Sequence, residues 1–401
     1  MATPSAKPSP GEVDRLIVQQ VDINAGYSIG GIDTCIRGLL EYTPPGVTLA
    51  LVGIDYGTTT PRHELGQWEV HHRGDRTVYF LPVARVDPTQ PKHGIPHSAR
   101  LVAGLLRYRS AIPAPKMVQA HRVDVAMAVR LLFRAPLVYS IHTQRRGLIG
   151  RTSDSFWRFA GGWLYERFDQ LMVKVSRRVI VFNPDYAERI RQWNPRTVSA
   201  PTWFDPAVNR FQPEPPDPYA VLWVGRFEVP KDPQLAVRAF AHLVQTHPDE
   251  PWTLKLVGDG SLRSELERQV AELPAEVRDR ITMPGRLRPK DLSEVRGQCG
   301  VFLMTSHPGY EGFPRVLVEA LATGLPAVVT EGADTGRLVQ ANVSGSVHGR
   351  DPAALAAGIR AARDLDRTKV AEVVSELSAP EVIRAVFFGD DLDPAHAAGG
   401  R

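Results

Sequence analysis

Short β-branched or apolar runs alternate with helix-period stretches along almost the whole chain. In the first half the strand candidates are Leu16–Val21, Val47–Val52, Thr77–Leu81, Met117–Ala120, Leu137–Ile141 and Val179–Phe182. Helical periodicity fills Ile32–Glu41, Val123–Phe133 and Ser155–Val173 between them. A proline-rich passage, Phe211-Gln-Pro-Glu-Pro-Pro-Asp-Pro-Tyr219, breaks the alternation and predicts the interdomain linker. The pattern restarts at Ala220–Val224 and continues through Thr253–Val257, Ile281–Met283, Val301–Thr305, Ala327–Thr330 and Ser346–His348. Strands that alternate with helices in this way belong to parallel sheets covered on both faces, so two doubly wound α/β domains in tandem are expected.

The punctuation supports this division. Asp232 followed by Pro233 predicts an N-cap with proline in the first helical turn, and Pro314 and Gly324 bracket a second helix. The expected organisation is a disordered N-terminus over 1–12, a first domain over 13–210, the linker over 211–219, a second domain over 220–375 and a disordered tail over 389–401. Ligands of such sheets bind beyond the carboxyl ends of the strands, so functional residues are expected in the loops that follow strand ends.

Composition narrows the class. With 43% hydrophobic and 23% charged residues among 401, the chain suits globular domains rather than disordered or fibrous ones. Its two cysteines, Cys35 and Cys299, lie far apart and predict neither a disulfide framework nor a cysteine-based zinc site. The first residues have no apolar signal core and no apolar run is long enough to span a bilayer, so a cytoplasmic protein is expected. Net charge is only +4, but residues 100–178 carry 15 Lys and Arg against four acids, a local balance of +11 that leaves −7 for the remainder. This asymmetry makes that region a candidate contact for an anionic membrane surface or a phosphorylated substrate; without a recognition module, nucleic acid is not an expected partner.

Chemistry collects at the predicted strand ends. Arg226 leaves the first strand of the second half and Lys231 stands beside a helix start, where two cations can meet phosphate groups. Glu311 precedes a helix and Glu319 lies within it, so two carboxylates can accept from hydroxyls along one ligand. In the first half, Gly26-Tyr27-Ser28-Ile29-Gly30-Gly31 opens a helix after the first strand, where bare backbone can approach an anion; His142 ends another strand.

These elements together resemble glycosyltransferase family 4: Gly225-Arg226 with Lys231, Gly258-Asp259-Gly260, Pro284-Gly285-Arg286, and Glu311 eight positions before Glu319 with Gly324-Leu325-Pro326. The resemblance implies a GT-B fold, two Rossmann-like doubly wound domains facing across a cleft, and a last helix over 376–388 returning to the first domain. It implies a retaining transfer of a sugar from a nucleotide-sugar donor, a UDP- or GDP-sugar, to a hydroxyl acceptor such as a glycan, lipid-linked glycan or natural-product intermediate. Arg226 and Lys231 would neutralise the donor diphosphate, Glu311 and His142 would address the donor sugar, and Glu319 would hold ribose hydroxyls. Gly30, Gly31, Gly258, Gly312 and Phe313 would complete the donor site. No cofactor or metal is expected, since Arg226 and Lys231 supply the positive charge and the only Asp-x-Asp, Asp391 and Asp393, lies in the expected tail. The other reading is a non-catalytic protein that binds nucleotide sugars or acts as a scaffold on the same fold.

Overall fold

A computed structural model describes residues 7–25, 31–58, 62–73, 76–87, 96–142 and 162–389, with the backbone of 3–4. The chain divides into two compact units, one comprising Met1–Ala200 with the residues from Ile383 onward, the other Pro201–Val382.

The first unit is built on β1 (Thr3–Pro4), β2 (Arg15–Val18), β3 (Leu49–Asp55), β4 (Glu69–Arg73), β5 (Arg76–Arg85), β6 (Met117–Ala120), β7 (Leu137–Ile141), β8 (Arg178–Val181) and β9 (Thr197–Ser199). Their order is β1-β4-β5-β3-β2-β6-β7-β8-β9, parallel from β5 through β9 and antiparallel where β4 meets β1 and β5. The interior strand β3 is buried at every position, as expected of a strand covered on both faces. Strand β4 escapes an apolar-run search because Glu69-Val-His-His-Arg73 has almost no apolar alternation; its pairing with β5 defines it.

The second unit holds β10 (Asp217–Val224), β11 (Thr253–Val257), β12 (Ile281–Gly285), β13 (Cys299–Met304), β14 (Ala327–Thr330) and β15 (Gly345–His348), all parallel in the order β12-β11-β10-β13-β14-β15. Successive side chains serve opposite faces. Val221, Trp223, Val301, Leu303 and Val328 join Leu235, Phe240, Leu355 and Ile359, from helices Pro233–Thr246 and Pro352–Ala362, in one core. Leu222, Phe302, Met304 and Val329 join Leu317, Val318 and Leu321 of helix Arg315–Ala322 in the other. The reversal of direction beside β10, with β11 on one side and β13 on the other, opens a switch point at their carboxyl ends.

Three boundaries need correction. The stretch 211–219 lies inside the second unit, where Gln212 N–H donates to the Thr323 carbonyl at 3.1 Å and Arg367 to the Gln212 carbonyl at 2.8 Å. Asp217 and Pro218 already belong to β10, and the division falls at Ala200 and Pro201. Residues 7–12 are not loose: Lys7 Nζ donates to the Ser110 carbonyl at 2.8 Å and Glu12 accepts from the Tyr79 hydroxyl at 2.5 Å. The stretch 376–388 is not one helix but a short helix, Ala379–Val382, followed by a π-helical turn over Ile383–Phe387, at whose start the chain passes to the first unit. Residues 390–401, with Asp391 and Asp393, lie outside the described residues.

Candidate donor site

The site is assembled at the carboxyl ends of β10 and β13 in the second unit. After Val224 the chain runs through Gly225 and Arg226 into a single 3-10 turn, Val229–Lys231, and then into the helix that starts at Pro233. Asp232 joins turn and helix with a positive φ of 42°, a conformation that costs a non-glycine residue about 1–2 kcal/mol. Its carboxylate offsets that cost by capping the helix, accepting from Leu235 N–H at 2.9 Å, and by pairing with Arg350. Thr305, just past β13, secures the same turn from beneath: its hydroxyl accepts from Trp223 Nε1 at 2.9 Å and donates to the Asp232 carbonyl at 2.7 Å. Arg350 Nη1 donates to the Thr305 carbonyl at 3.0 Å, and His307 N–H to the Pro230 carbonyl at 2.8 Å. The backbone around Lys231 is therefore held from both neighbouring loops.

On this platform Lys231 Nζ donates to Glu311 Oε1 at 2.5 Å, and the Ser306 hydroxyl donates to the same oxygen at 2.6 Å. Both side chains are mostly buried, at 15% and 10% exposure. Two donors on Oε1 lock the carboxylate, and among the described residues no bond engages Oε2, which can accept from a ligand hydroxyl. Arg226 lies alongside, Nη2 donating to the Tyr310 hydroxyl at 2.5 Å and Nη1 pairing with Glu228 at 3.0 Å. The Tyr310 ring sits 5.6 Å from Lys231 Nζ and so lies between the two cations. Burial pushes the Tyr310 hydroxyl above its ordinary range against the opposing pull of Arg226, so it stays a protonated donor at neutral pH.

Gly258 is demanded by packing: with φ of 150°, a Cβ there would stand 1.8 Å from the Gly225 carbonyl oxygen, the residue preceding Arg226. Gly312 accepts from the Thr335 hydroxyl through its carbonyl, and Phe313 packs against the core with its ring over Gly336. Glu319 has a partner that spacing along the helix does not reveal. Its Oε2 pairs at 2.7 Å with Arg296, whose side chain is 2% exposed and also donates to Asn209. The structure thus brings Arg226, Lys231 and Glu311 into one network and ties Glu319 into the packing of helix Pro289–Gln298.

In the first unit, Gly31 starts helix Gly31–Tyr42, and no atom of the described residues outside its own helix and chain neighbours lies within 4 Å of where a Cβ would stand; Gly30 falls outside the described residues. His142 follows β7, its Nε2 2.7 Å from His121 Nδ1 and its ring stacked on Phe182 at 4.4 Å between centroids. Residues 143–161 of the basic region, including Trp157, are likewise outside the described residues. Of the functional residues a sequence reading misses, Arg350 had a usable signal because it stands two residues past the end of β15; Ser306 and Tyr310 had none beyond their loop.

Residues 218–364 match the family described as glycosyl transferases, group 1. Over those residues the second unit is similar to the group 1 glycosyl transferases. A D-inositol 3-phosphate glycosyltransferase of Acidothermus cellulolyticus is 34% identical over 166 residues, covering 40% of this chain and 36% of that protein. The sulfoquinovosyl transferase SQD2 of Arabidopsis thaliana is 25% identical over 249 residues, 58% of this chain and 44% of that protein. The chain thus aligns with less than half the length of each of these curated relatives. Among solved structures, sucrose-phosphate synthase of Thermosynechococcus elongatus matches 98% of this chain and all of that one with a TM-score of 0.72 at 19% identity. HepE of Anabaena in complex with UDP matches 94% and 99% with a TM-score of 0.64 at 18% identity. At such identities the likeness is one of fold, and the fold is the α/β GT-B class, with two Rossmann-like sheets. Arg226, Lys231, Glu311 and Glu319 all lie within the matched residues.

Proposed function

We propose that the chain is a retaining glycosyltransferase that moves a sugar from a nucleotide-sugar donor, a UDP- or GDP-sugar, to a hydroxyl acceptor. The carrying observation is the Lys231–Glu311 pair at 2.5 Å, with Arg226 linked through Tyr310, on loops at a switch point of a parallel sheet. A nucleoside diphosphate leaves with growing negative charge; Lys231 and Arg226 meet that charge, and their held backbone spares reorganisation when the glycosyl bond breaks. Glu311, locked through Oε1, offers Oε2 to a donor hydroxyl, and Glu319 addresses the ribose with the carboxylate oxygen not given to Arg296. HepE has been solved with UDP and with UDP-glucose, which favours a uridine nucleotide here too. With two cations at the diphosphate, the transfer needs no metal. In the first unit, His142 at the end of β7 is read as the histidine that addresses the sugar.

The test is release of nucleotide from UDP- and GDP-sugars in the presence of candidate glycan and lipid-linked acceptors, with the product's anomeric configuration determined by NMR. Lys231→Ala should lower kcat by roughly 10²- to 10³-fold, as removal of one donor to a developing anion does. An unchanged kcat removes Lys231 from the role given to it, and saturable donor binding without transfer to any acceptor favours the non-catalytic reading.

We propose also that the acceptor is presented at an anionic membrane face. Within the basic region, helix Gly162–Val175 exposes Trp163 at 66% and Leu171 at 46% alongside Arg167 and Lys174. No helix among the described residues is long and apolar enough to cross a membrane. Co-sedimentation with phosphatidylglycerol vesicles at low salt, lost at high salt, is expected; absence of binding at low salt overturns this part.

A further inference from the structure

A line of four polar side chains runs through the interior of the first unit to His142. Arg15 in β2 is 2% exposed, and its Nη1 donates to Gln119 Oε1 at 3.0 Å. Gln119, in the adjacent strand β6, is wholly buried. A guanidinium has no lone pair to offer, so the oxygen of the Gln119 amide must face Arg15 and its nitrogen must face away. That Nε2 stands 2.9 Å from His121 Nε2. An amide nitrogen only donates, so His121 Nε2 accepts and the ring carries its proton on Nδ1. His121 Nδ1 is 2.7 Å from His142 Nε2, which must then accept in turn. Each bond leaves the next residue one choice.

Packing keeps the line in register. Strands β2, β6 and β7 are neighbours in the sheet, with Ile17 opposite Gln119 and Gln119 opposite Val138. The Arg15 guanidinium is covered by the Phe388 ring at 4.3 Å, and the His142 ring is stacked between His121 and Phe182. Burial, with Arg15 nearby, pushes His121 down to about 3, so the ring is neutral and holds a single proton for its two nitrogens.

We propose that Arg15, Gln119 and His121 are positioning residues that hold His142 as the neutral tautomer protonated on Nδ1. His142 then serves the transfer as a hydrogen-bond donor through Nδ1. Its one lone pair is committed to a buried neighbour, so it is not the proton acceptor of the reaction. This deepens the reading of His142 as a donor-site residue and rests on it.

The experiment is long-range proton–nitrogen NMR on protein labelled with ¹⁵N-histidine, with His142 assigned from the signal missing in His142→Gln. Wild type should show His121 and His142 both as Nδ1–H tautomers. Gln119→Glu reverses the line: its carboxylate keeps the Arg15 bond but can only accept from His121 Nε2. At about pH 8.5, above the ordinary histidine range and with Arg15 offsetting the new charge, both rings should switch to the Nε2–H form. The same variant should lower kcat by roughly ten- to a thousandfold, as a wrong tautomer does, with donor KM within about threefold. An Nε2–H tautomer of His142 in wild type, or no switch in Gln119→Glu, overturns the proposal. Should Gln119→Glu fail to fold, the wild-type spectrum decides by itself. If the tautomer is as expected but no nucleotide sugar supports transfer, the functional reading fails and the relay stands.

Discussion

Replacing Glu319 by alanine separates its two duties. In the folded protein Glu319 Oε2 lies 2.7 Å from the Arg296 guanidinium, whose side chain is 2% exposed and whose other partner is the neutral amide of Asn209. Removing the carboxylate leaves a buried cation with only an amide oxygen beside it. Truncating one member of a buried pair costs about 3–5 kcal/mol, because the remaining charge stays desolvated. For a domain of this size each kcal/mol moves Tm by roughly 2–4 °C, so a fall of about 6–20 °C is expected in differential scanning calorimetry. Glu319→Gln keeps a hydrogen-bonding oxygen for Arg296 and should lose about half as much, while still surrendering the charged acceptor offered to the ribose. Nucleotide titration on both variants then shows whether donor affinity falls beyond what lost stability explains. A Glu319→Ala transition within about 2 °C of wild type would refute the claim that this carboxylate compensates Arg296.

Three further outcomes are expected. His63 lies between Asp22 at 3.2 Å and Glu69 at 2.7 Å; burial alone would push it down, but hydrogen bonds to the two carboxylates and their charges outweigh burial and raise it from 6.5 to about 9. A raised histidine contributes stability that is whole below about 6.5 and fades as pH climbs through about 9, so Tm of the first unit should decline across that window, and His63→Gln should flatten that slope. Glu69, which burial would raise, is held down at about 2 by bonds from His63 and His71; its contribution is whole above 4.5 and fades on acidification toward about 2, giving a second decline on the acid side that Glu69→Gln removes. Gly258→Ala should destabilise the second unit by about 3 kcal/mol or more and weaken donor binding, since its Cβ would collide with the Gly225 carbonyl beside Arg226; urea unfolding with an unshifted midpoint would contradict this.

The amino-acid order by itself determined the strands Met117–Ala120, Leu137–Ile141, Thr253–Val257 and Ala327–Thr330 to the residue, and the α/β class with them. It did so because strands covered on both faces are dominated by apolar residues, a local signal that needs no partner to be seen even where a Gln119 or Lys255 interrupts it. The same locality exposed Arg226, Lys231 and Glu311, which stand where strand ends give way to glycine- and proline-marked loops. Only the folded chain decided that Lys231 and Glu311, 80 residues apart, share a proton-rich contact, and that Glu319 answers to a buried Arg296. It alone revealed β4, whose polar residues make a strand through pairing, and the line from Arg15 to His142, which joins β2 to the ends of β6 and β7. Apolar period is written in neighbouring residues, whereas hydrogen-bond partnership is settled by which strand ends the sheet brings side by side.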